Sequence, residues 1–284
     1  MKSILVPVDF SEASSGAVRY AVHWAKQYGY NQVILFKVHY ESFMDYISTL
    51  GIGYSFMGKD ASTQYRSASK KLLKTLQKNA QSSLGSENTI QIRTATSDLP
   101  LTRAIMEILS QQPDIQLIAL GSDHTRSSEP GFITASIIKI ARISPVKVLI
   151  VPEGYAYTPI RNILVPCDLQ HMKQLGKLEQ YSSMISEHIT LTVLNIYKDQ
   201  VQENDEVIQE WKDKLQHFFT GGSLQLFHRY DSDTLHGVLE FVADNPTDLI
   251  VALPGSHSFL YYLASKSLSE GIYRNTSQAL LLLK

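Results

Sequence analysis

The stretch Ile4-Leu-Val-Pro-Val-Asp-Phe10 decides the fold, because the chain repeats it as Ile163-Leu-Val-Pro-Cys-Asp-Leu169 with five of seven positions identical. Each copy is a short aliphatic run that ends in Pro and Asp. Such a run predicts a strand that is buried on both faces and stops where a carboxylate meets solvent. A helical pattern follows, and this order is typical of a doubly wound parallel sheet. We therefore predict an α/β chain with two similar five-stranded parallel-sheet domains.

The first half alternates apolar runs with helical patterns. Ser11 is a good N-cap, and apolar residues recur at helical spacing after it until Gly29 supplies a stop. This pattern predicts the first crossover helix. The same reasoning predicts further strands at 31–40, 89–96, 115–120 and 146–151, and helices at 62–82, 101–109 and 132–143.

The second half repeats the order with changes. We predict domain boundaries of 1–152 and 161–284, joined by a linker at 153–160 that is too short to let the halves move independently. The predicted strands of the second half are 162–165, 189–195, 223–228, 249–253 and 279–283, with a helix at about 203–219.

The connection from Tyr40 to Met57 is rich in aromatic residues and glycines and has no lasting period. Long connections of this kind are often functional. Three interpretations stay open: a lid over a pocket in the first domain, a surface for a partner, or a local cap on the edge of the sheet.

Composition and charge exclude several classes of protein. The chain has 26 Lys and Arg against 27 Asp and Glu, and no basic run, so we expect no nucleic-acid partner. No apolar stretch is long enough to span a membrane. The sole cysteine, Cys167, cannot form an intrachain disulfide and is expected to be a buried thiol. Because Met1 leads almost directly into a strand, we predict a cytoplasmic protein without a signal peptide.

Residues just after the strands are the best candidates for a binding site, because ligands of parallel sheets lie beyond the carboxyl ends of the strands. A carboxylate after the first strand and a glycine-containing loop that leads to a helix suit an adenosine with a phosphate tail. The alternative is that Asp9 and Asp168 only cap the helices that follow them. Beyond the first, second and fourth strands of the first half lie Pro7, Val8 and Asp9; Val38 and His39; and the loop from Gly121.

Three motifs resemble the universal stress protein family in its tandem, two-domain form. They are the repeated Ile-Leu-Val-Pro-x-Asp run, Leu117-Ile-Ala-Leu-Gly121, and Ser144-Pro-Val-Lys-Val-Leu-Ile-Val-Pro152. The resemblance implies domains of the adenine-nucleotide alpha-hydrolase-like type that pair through their last strands. In one chain this pairing makes an intrachain pseudo-dimer, and a homodimer of chains stays open.

Nucleotide-binding members of that family carry a Gly-x2-Gly-x9-Gly-[Ser/Thr] loop, whose glycines let backbone N–H groups approach phosphates. Only Gly121 fits here. The second glycine position is His124, and the later pair falls on Thr134 and Ala135, with Ser136 next. Two lost glycines argue against a close grip on a triphosphate. The resemblance implies a nucleotide site in the first domain made by Pro7, Val8, Asp9, Val38, Gly121, His124, Thr134, Ala135 and Ser136.

In the second half, Pro254 replaces the leading glycine and the distal positions fall on Ser267 and Leu268. We predict that this half is degenerate and binds no nucleotide. His124 and His257 occupy matching positions, so an imidazole that contacts a phosphate or a shared metal stays open beside the simpler interpretation of two surface histidines.

The chain lacks the motifs of common enzymes. It has no Gly-x-Ser-x-Gly elbow, no Walker lysine loop and no Rossmann glycine triplet, and no His-x-x-x-His or cysteine pair that would predict a zinc site. We predict a non-catalytic stress-response protein that requires no metal or cofactor and binds ATP, ADP or AMP in its first domain. The alternative is a scaffold or interaction protein with a decayed nucleotide site and an unknown protein partner.

Overall fold

The computed structural model describes residues 1–40, 59–85, 89–123, 132–167, 188–197, 222–253 and 278–284, with short helical pieces between 209 and 216. The predicted aromatic connection, the glycine-position residue His124, and Asp168, Pro254, His257, Ser267 and Leu268 lie outside the described residues. The chain divides into two compact units, Met1–Tyr157 and Thr158–Lys284. We call them the first and the second unit.

The first unit alternates strands and helices along the chain. In order, its described elements are β1 (Ser3–Pro7), α1 (Glu12–Tyr28), β2 (Gln32–Val38), α2 (Lys59–Ser82), β3 (Gln91–Ser97), α3 (Leu101–Gln111), β4 (Ile115–Ser122), α4 (Phe132–Ile143) and β5 (Lys147–Pro152).

The strands of the first unit lie in the order β3-β2-β1-β4-β5, and every described pair is parallel. All residues of β1 and β2 are buried, as the continuous apolar runs predict. The chain first winds from β1 outward to β3 and then returns to β4 on the other side of β1. Right-handed crossovers therefore place α1 and α2 on one face of the sheet and α3 and α4 on the other.

Helix α1 lies next to the point where the strand order reverses. It packs against β1, β4 and β5 and contacts α2. Its N-cap is Ser11, whose side chain accepts a hydrogen bond from the Ser14 N–H, and its C-cap is Gly29 in the left-handed conformation at φ 66°. Both ends agree with the sequence prediction.

The second unit repeats this topology. Its described strands are β6 (Asn162–Cys167), β7 (Thr190–Tyr197), β8 (Ser223–Tyr230), β9 (Leu249–Ala252) and β10 (Ala279–Leu282), and its described full-length helix is α5 (Thr234–Asp244). They lie in the order β8-β7-β6-β9-β10 with every described pair parallel. The predicted fold class, two similar five-stranded parallel α/β units, is confirmed.

Most predicted elements are present, with boundaries that differ by a few residues. Strand β4 continues through Ser122, beyond its predicted end at Leu120, because it pairs with β5 up to Pro152. Helix α5 was not predicted at all. The helix predicted at 203–219 lies largely outside the described residues, although its described pieces are helical.

Candidate functional site

The turn between β1 and α1 lies where the strand order reverses, and the carboxylate of Asp9 holds this turn together by hydrogen bonds. Asp9 Oδ1 accepts hydrogen bonds from the Ser11 backbone N–H at 3.0 Å and the Ser11 hydroxyl at 2.5 Å. The Asp9 backbone N–H donates to Ser14 Oγ at 3.4 Å. Asp9 therefore supports the helix start, but the N-cap itself is Ser11, which corrects the alternative that Asp9 caps α1 directly.

Phe10 brings the chain out of the strand in an unusual conformation. Its φ of 70° lies in the left-handed region, which a bulky residue rarely adopts. The hydrogen bonds between Asp9 and Ser11 hold the residues on either side of it. The turn is therefore well defined, with the N-terminus of α1 at the carboxyl end of the sheet.

Gly121 approaches the same turn from β4. A Cβ atom added at Gly121 would lie 2.1 Å from the carbonyl oxygen of Ala13 and 2.7 Å from the Ser14 nitrogen. No side chain fits there, because this distance is far below van der Waals contact. Close packing of α1 on β4 thus accounts for the glycine, and the same packing brings Gly121 to within reach of the Asp9 turn.

Three other predicted site residues are part of the core. Pro7, Val8 and Val38 are buried, and the Val8 N–H donates to the Phe36 carbonyl at 2.9 Å. They belong to the core at the carboxyl ends of β1 and β2. Thr134, Ala135 and Ser136 lie in the first two turns of α4; of their side chains only that of Ser136 is described, and it is partly exposed.

Lys37 is a site residue that the sequence analysis missed. Its side chain is only 1% exposed, and its ammonium nitrogen lies 5.2 Å from the centroid of the Phe10 ring, a cation–π arrangement. The amino group of a lysine is therefore buried beside the turn that carries Asp9. The signal in the sequence was a single lysine inside the apolar run of β2, Gln32–Val38.

His39 follows β2 and is half-buried. Its backbone N–H donates to Ser97 at 2.9 Å, and its ring meets that of Tyr65 edge to face at 6.0 Å. Among the described residues its Nδ1 has no hydrogen-bond partner. Burial, and then the nearby charge of Lys37, lower the pKa of His39 below its usual value, so the imidazole is neutral at neutral pH.

A cavity of about 200 Å³ in the second unit lies elsewhere. Uncharged polar groups and two phenylalanine rings line it near the starts of β6, β7 and β8, at the opposite end from the carboxyl edge. It therefore has no counterpart of the charged groups around Asp9. No helix among the described residues is both long and apolar enough to cross a membrane.

Residues 1–152 match the model of the universal stress protein family. The chain belongs to the universal stress protein family. A search of curated protein sequences finds no match.

Solved structures with similar folds cover the whole chain. A universal stress protein from Archaeoglobus fulgidus DSM 4304 is 13% identical, with 99% of this chain and 98% of that chain covered and a TM-score of 0.69. A functionally unknown protein from Pseudomonas aeruginosa PAO1 is 13% identical, with coverage of 100% and 92% and a TM-score of 0.51.

The cytoplasmic domain of a prokaryotic cation chloride cotransporter is also similar. It is 10% identical, with 99% of this chain and 94% of that chain covered and a TM-score of 0.51. At these identities the likenesses concern the fold alone.

Proposed function

We propose that the first unit is a non-catalytic adenine-nucleotide-binding domain with a role in the stress response. The observation that carries the proposal is that the Asp9 turn and the buried side chain of Lys37, which contacts the Phe10 ring, both lie at the carboxyl edge, where the strand order reverses between β1 and β4. In open α/β sheets this is the place where ligands bind.

The two charges suit opposite parts of a nucleotide. Only Oδ1 of Asp9 is engaged within the described part of the chain, which leaves Oδ2 for a ribose hydroxyl. The Lys37 ammonium and the N-terminus of α1 supply positive potential for a phosphate. Thr134 and Ser136 on α4 are the hydroxyl donors that the family pattern offers for the remaining phosphate oxygens.

The second candidate function is a ligand-free scaffold, and two observations favour it. The Asp9 carboxylate already accepts two hydrogen bonds from Ser11, and the packing of Ala13 accounts for Gly121 without any phosphate. In that case Asp9 and Gly121 serve only to stabilise the fold, and the nucleotide site has lost its function.

Calorimetric titration of the full chain with ATP, ADP and AMP tests the proposal. We expect binding in the micromolar range, and Asp9→Asn should weaken it about tenfold, since it removes one charge-assisted hydrogen bond worth roughly 1.5–3 kcal/mol. Asp244→Asn, an exposed carboxylate on α5, is the matched control and should bind like the wild type. No heat at about 1 mM ligand, which bounds the affinity at roughly −4 kcal/mol, would favour the scaffold.

A further inference from the structure

The second unit carries a cluster of metal-ligating side chains that the nucleotide site does not use. It consists of Asp231, His236 and Glu240, where β8 ends and α5 begins, and the ligand atoms of the three lie within 4.8 Å of one another. We call it the β8–α5 cluster. The sequence signal is Asp-x4-His-x3-Glu, which a search for His-x-x-x-His does not detect.

Asp231 holds the imidazole of His236 in one orientation. Its Oδ2 lies 2.7 Å from His236 Nδ1, and its Oδ1 accepts the Asp233 backbone N–H at 2.8 Å. Asp231 is itself fixed, because its side chain is only 14% exposed. With the proton on Nδ1, the lone pair of the neutral ring lies on Nε2, as is usual for a histidine that binds a metal.

Glu240 lies one helical turn further along α5 and faces that nitrogen. The distance from His236 Nε2 to Glu240 Oε1 is 3.8 Å. Zinc bonds to histidine nitrogen and to carboxylate oxygen are each about 2.1 Å long, so one ion can touch both atoms when they are up to about 4.2 Å apart. Arg229 pairs with the other oxygen, Oε2, and leaves Oε1 directed at the ring.

We propose that the β8–α5 cluster is a binding site for a divalent transition-metal ion such as Zn²⁺. His236 Nε2 and Glu240 Oε1 are the ligands, and Asp231 is a positioning residue that orients the ring. Water completes the coordination, since the His236 and Glu240 side chains are 61% and 44% exposed. An imidazole ligand selects Zn²⁺, Ni²⁺ or Cu²⁺ over Mg²⁺ and Ca²⁺.

Arg229 weakens this site and so provides a sensitive test. Its guanidinium pairs with one of the two ligands and repels a cation. Replacing it by glutamine removes that repulsion and frees Glu240 Oε2 for bidentate coordination. The Arg229→Gln variant should therefore bind the metal more tightly than the wild type. If the Arg229–Glu240 ion pair were merely structural, its loss would not raise the affinity for the metal.

The experiment is a Zn²⁺ titration of the full chain, followed by calorimetry and by NMR of the histidine ring nitrogens. We expect the His236 Nε2 resonance to respond first, and His236→Ala and Glu240→Gln to weaken binding at least tenfold. Asp231→Asn should cost about tenfold through ring orientation, and Arg229→Gln should tighten binding several-fold. Circular dichroism checks that each variant is folded.

Two controls decide the outcome. His188→Ala removes an exposed histidine of the same unit and should leave binding unchanged, and Mg²⁺ should produce no shift of the His236 ring. The proposal is overturned if the wild type takes up no Zn²⁺, if His236→Ala and His188→Ala behave alike, or if Mg²⁺ binds as tightly as Zn²⁺. Weaker binding by a folded Arg229→Gln variant would contradict the roles given to Arg229 and Glu240.

Discussion

The two units share one strand order but bury different polar groups at the end of the second strand. In the first unit Pro7 pairs with Phe36, and in the second Pro166 pairs with Leu194. The next residue along is therefore Lys37 in one unit and Asn195 in the other, and these side chains are only 1% and 7% exposed. The same position thus holds a lysine in the first unit, for which we propose a nucleotide, and a neutral amide in the second unit, for which we propose none.

The ends of the third strands also differ. Strand β3 leads to Asp98, which pairs with Arg66 of α2 at 3.1 Å. Strand β8 leads instead to Asp231 and the β8–α5 cluster. The duplicated fold thus keeps its apolar strands while the charged groups at the carboxyl edge differ between the two units, and on this difference we base the two proposed ligands.

The largest expected effect concerns the glycine that α1 requires. Gly121→Ala would place a Cβ atom 2.1 Å from the Ala13 carbonyl oxygen, so we expect it to lower the free energy of unfolding by about 3 kcal/mol through overpacking. Urea unfolding measures the change. Gly16→Ala within α1 is the control, because its Cβ would meet only Arg19 Nη2 at 3.8 Å. This control should gain about 0.5–1 kcal/mol from helix propensity. Equal stability of the two variants would contradict the packing account.

The next largest effect is a loss of nucleotide affinity when the buried Lys37 of the first unit is replaced by the residue of the second unit. Lys37→Asn gives the first unit the residue of the second and should weaken nucleotide binding about tenfold or more, because a charge-assisted contact to phosphate is lost. Calorimetry with AMP measures it. Lys37→Arg keeps the charge and serves as the conservative variant.

The matched change in the other unit is Asn195→Leu, which should leave nucleotide affinity as it is. Equal losses for Lys37→Asn and Asn195→Leu would show that the difference between the units has no role in binding. Thermal unfolding of each variant separates a loss of binding from a loss of stability, since substitution of a buried polar residue can destabilise the fold by itself.

The smallest effect is a difference in the pH dependence of stability. In the folded protein the pKa of His39 is lowered, mainly by burial, and that of His236 is raised, mainly by its hydrogen bond to Asp231. As pH falls below about 6.5, the unfolded chain takes up a proton at position 39 before the folded one does, so His39 costs stability. His236 contributes stability that is complete below about 6.5 and is lost as pH rises through its raised folded value.

Melting temperatures of His39→Gln and His236→Gln between about pH 5 and pH 8, in buffer with a chelator, measure these contributions. Relative to the wild type, His39→Gln should gain stability as the pH is lowered, and His236→Gln should lose it. Parallel curves for the two variants would show that one of the two pKa shifts has the wrong sign.

The sequence predicted most strands because they are continuous apolar runs, and it predicted β3 because isoleucines alternate there with polar residues. The repeated run around Asp9 predicted the duplication. Helix α5 was not predicted although it is as long as the predicted α3; Gly237 lies inside it and interrupts its apolar pattern. Lys37 was missed because the apolar run predicts a buried strand but does not tell whether a lysine inside it is buried or extends to solvent. The reason for Gly121 depends on how α1 meets β4, and such a contact between distant segments cannot be derived from spacing alone.

The central claim is that the carboxyl edge beside Asp9 and Lys37 binds an adenine nucleotide and that the second unit does not. A crystal structure of the full chain grown with AMP tests it most directly. We predict electron density for one nucleotide per chain, beyond the ends of β1 and β4 and within hydrogen-bond distance of the Asp9 carboxylate. Density at the matching edge of the second unit, or an empty edge in both units at saturating AMP, would contradict the account.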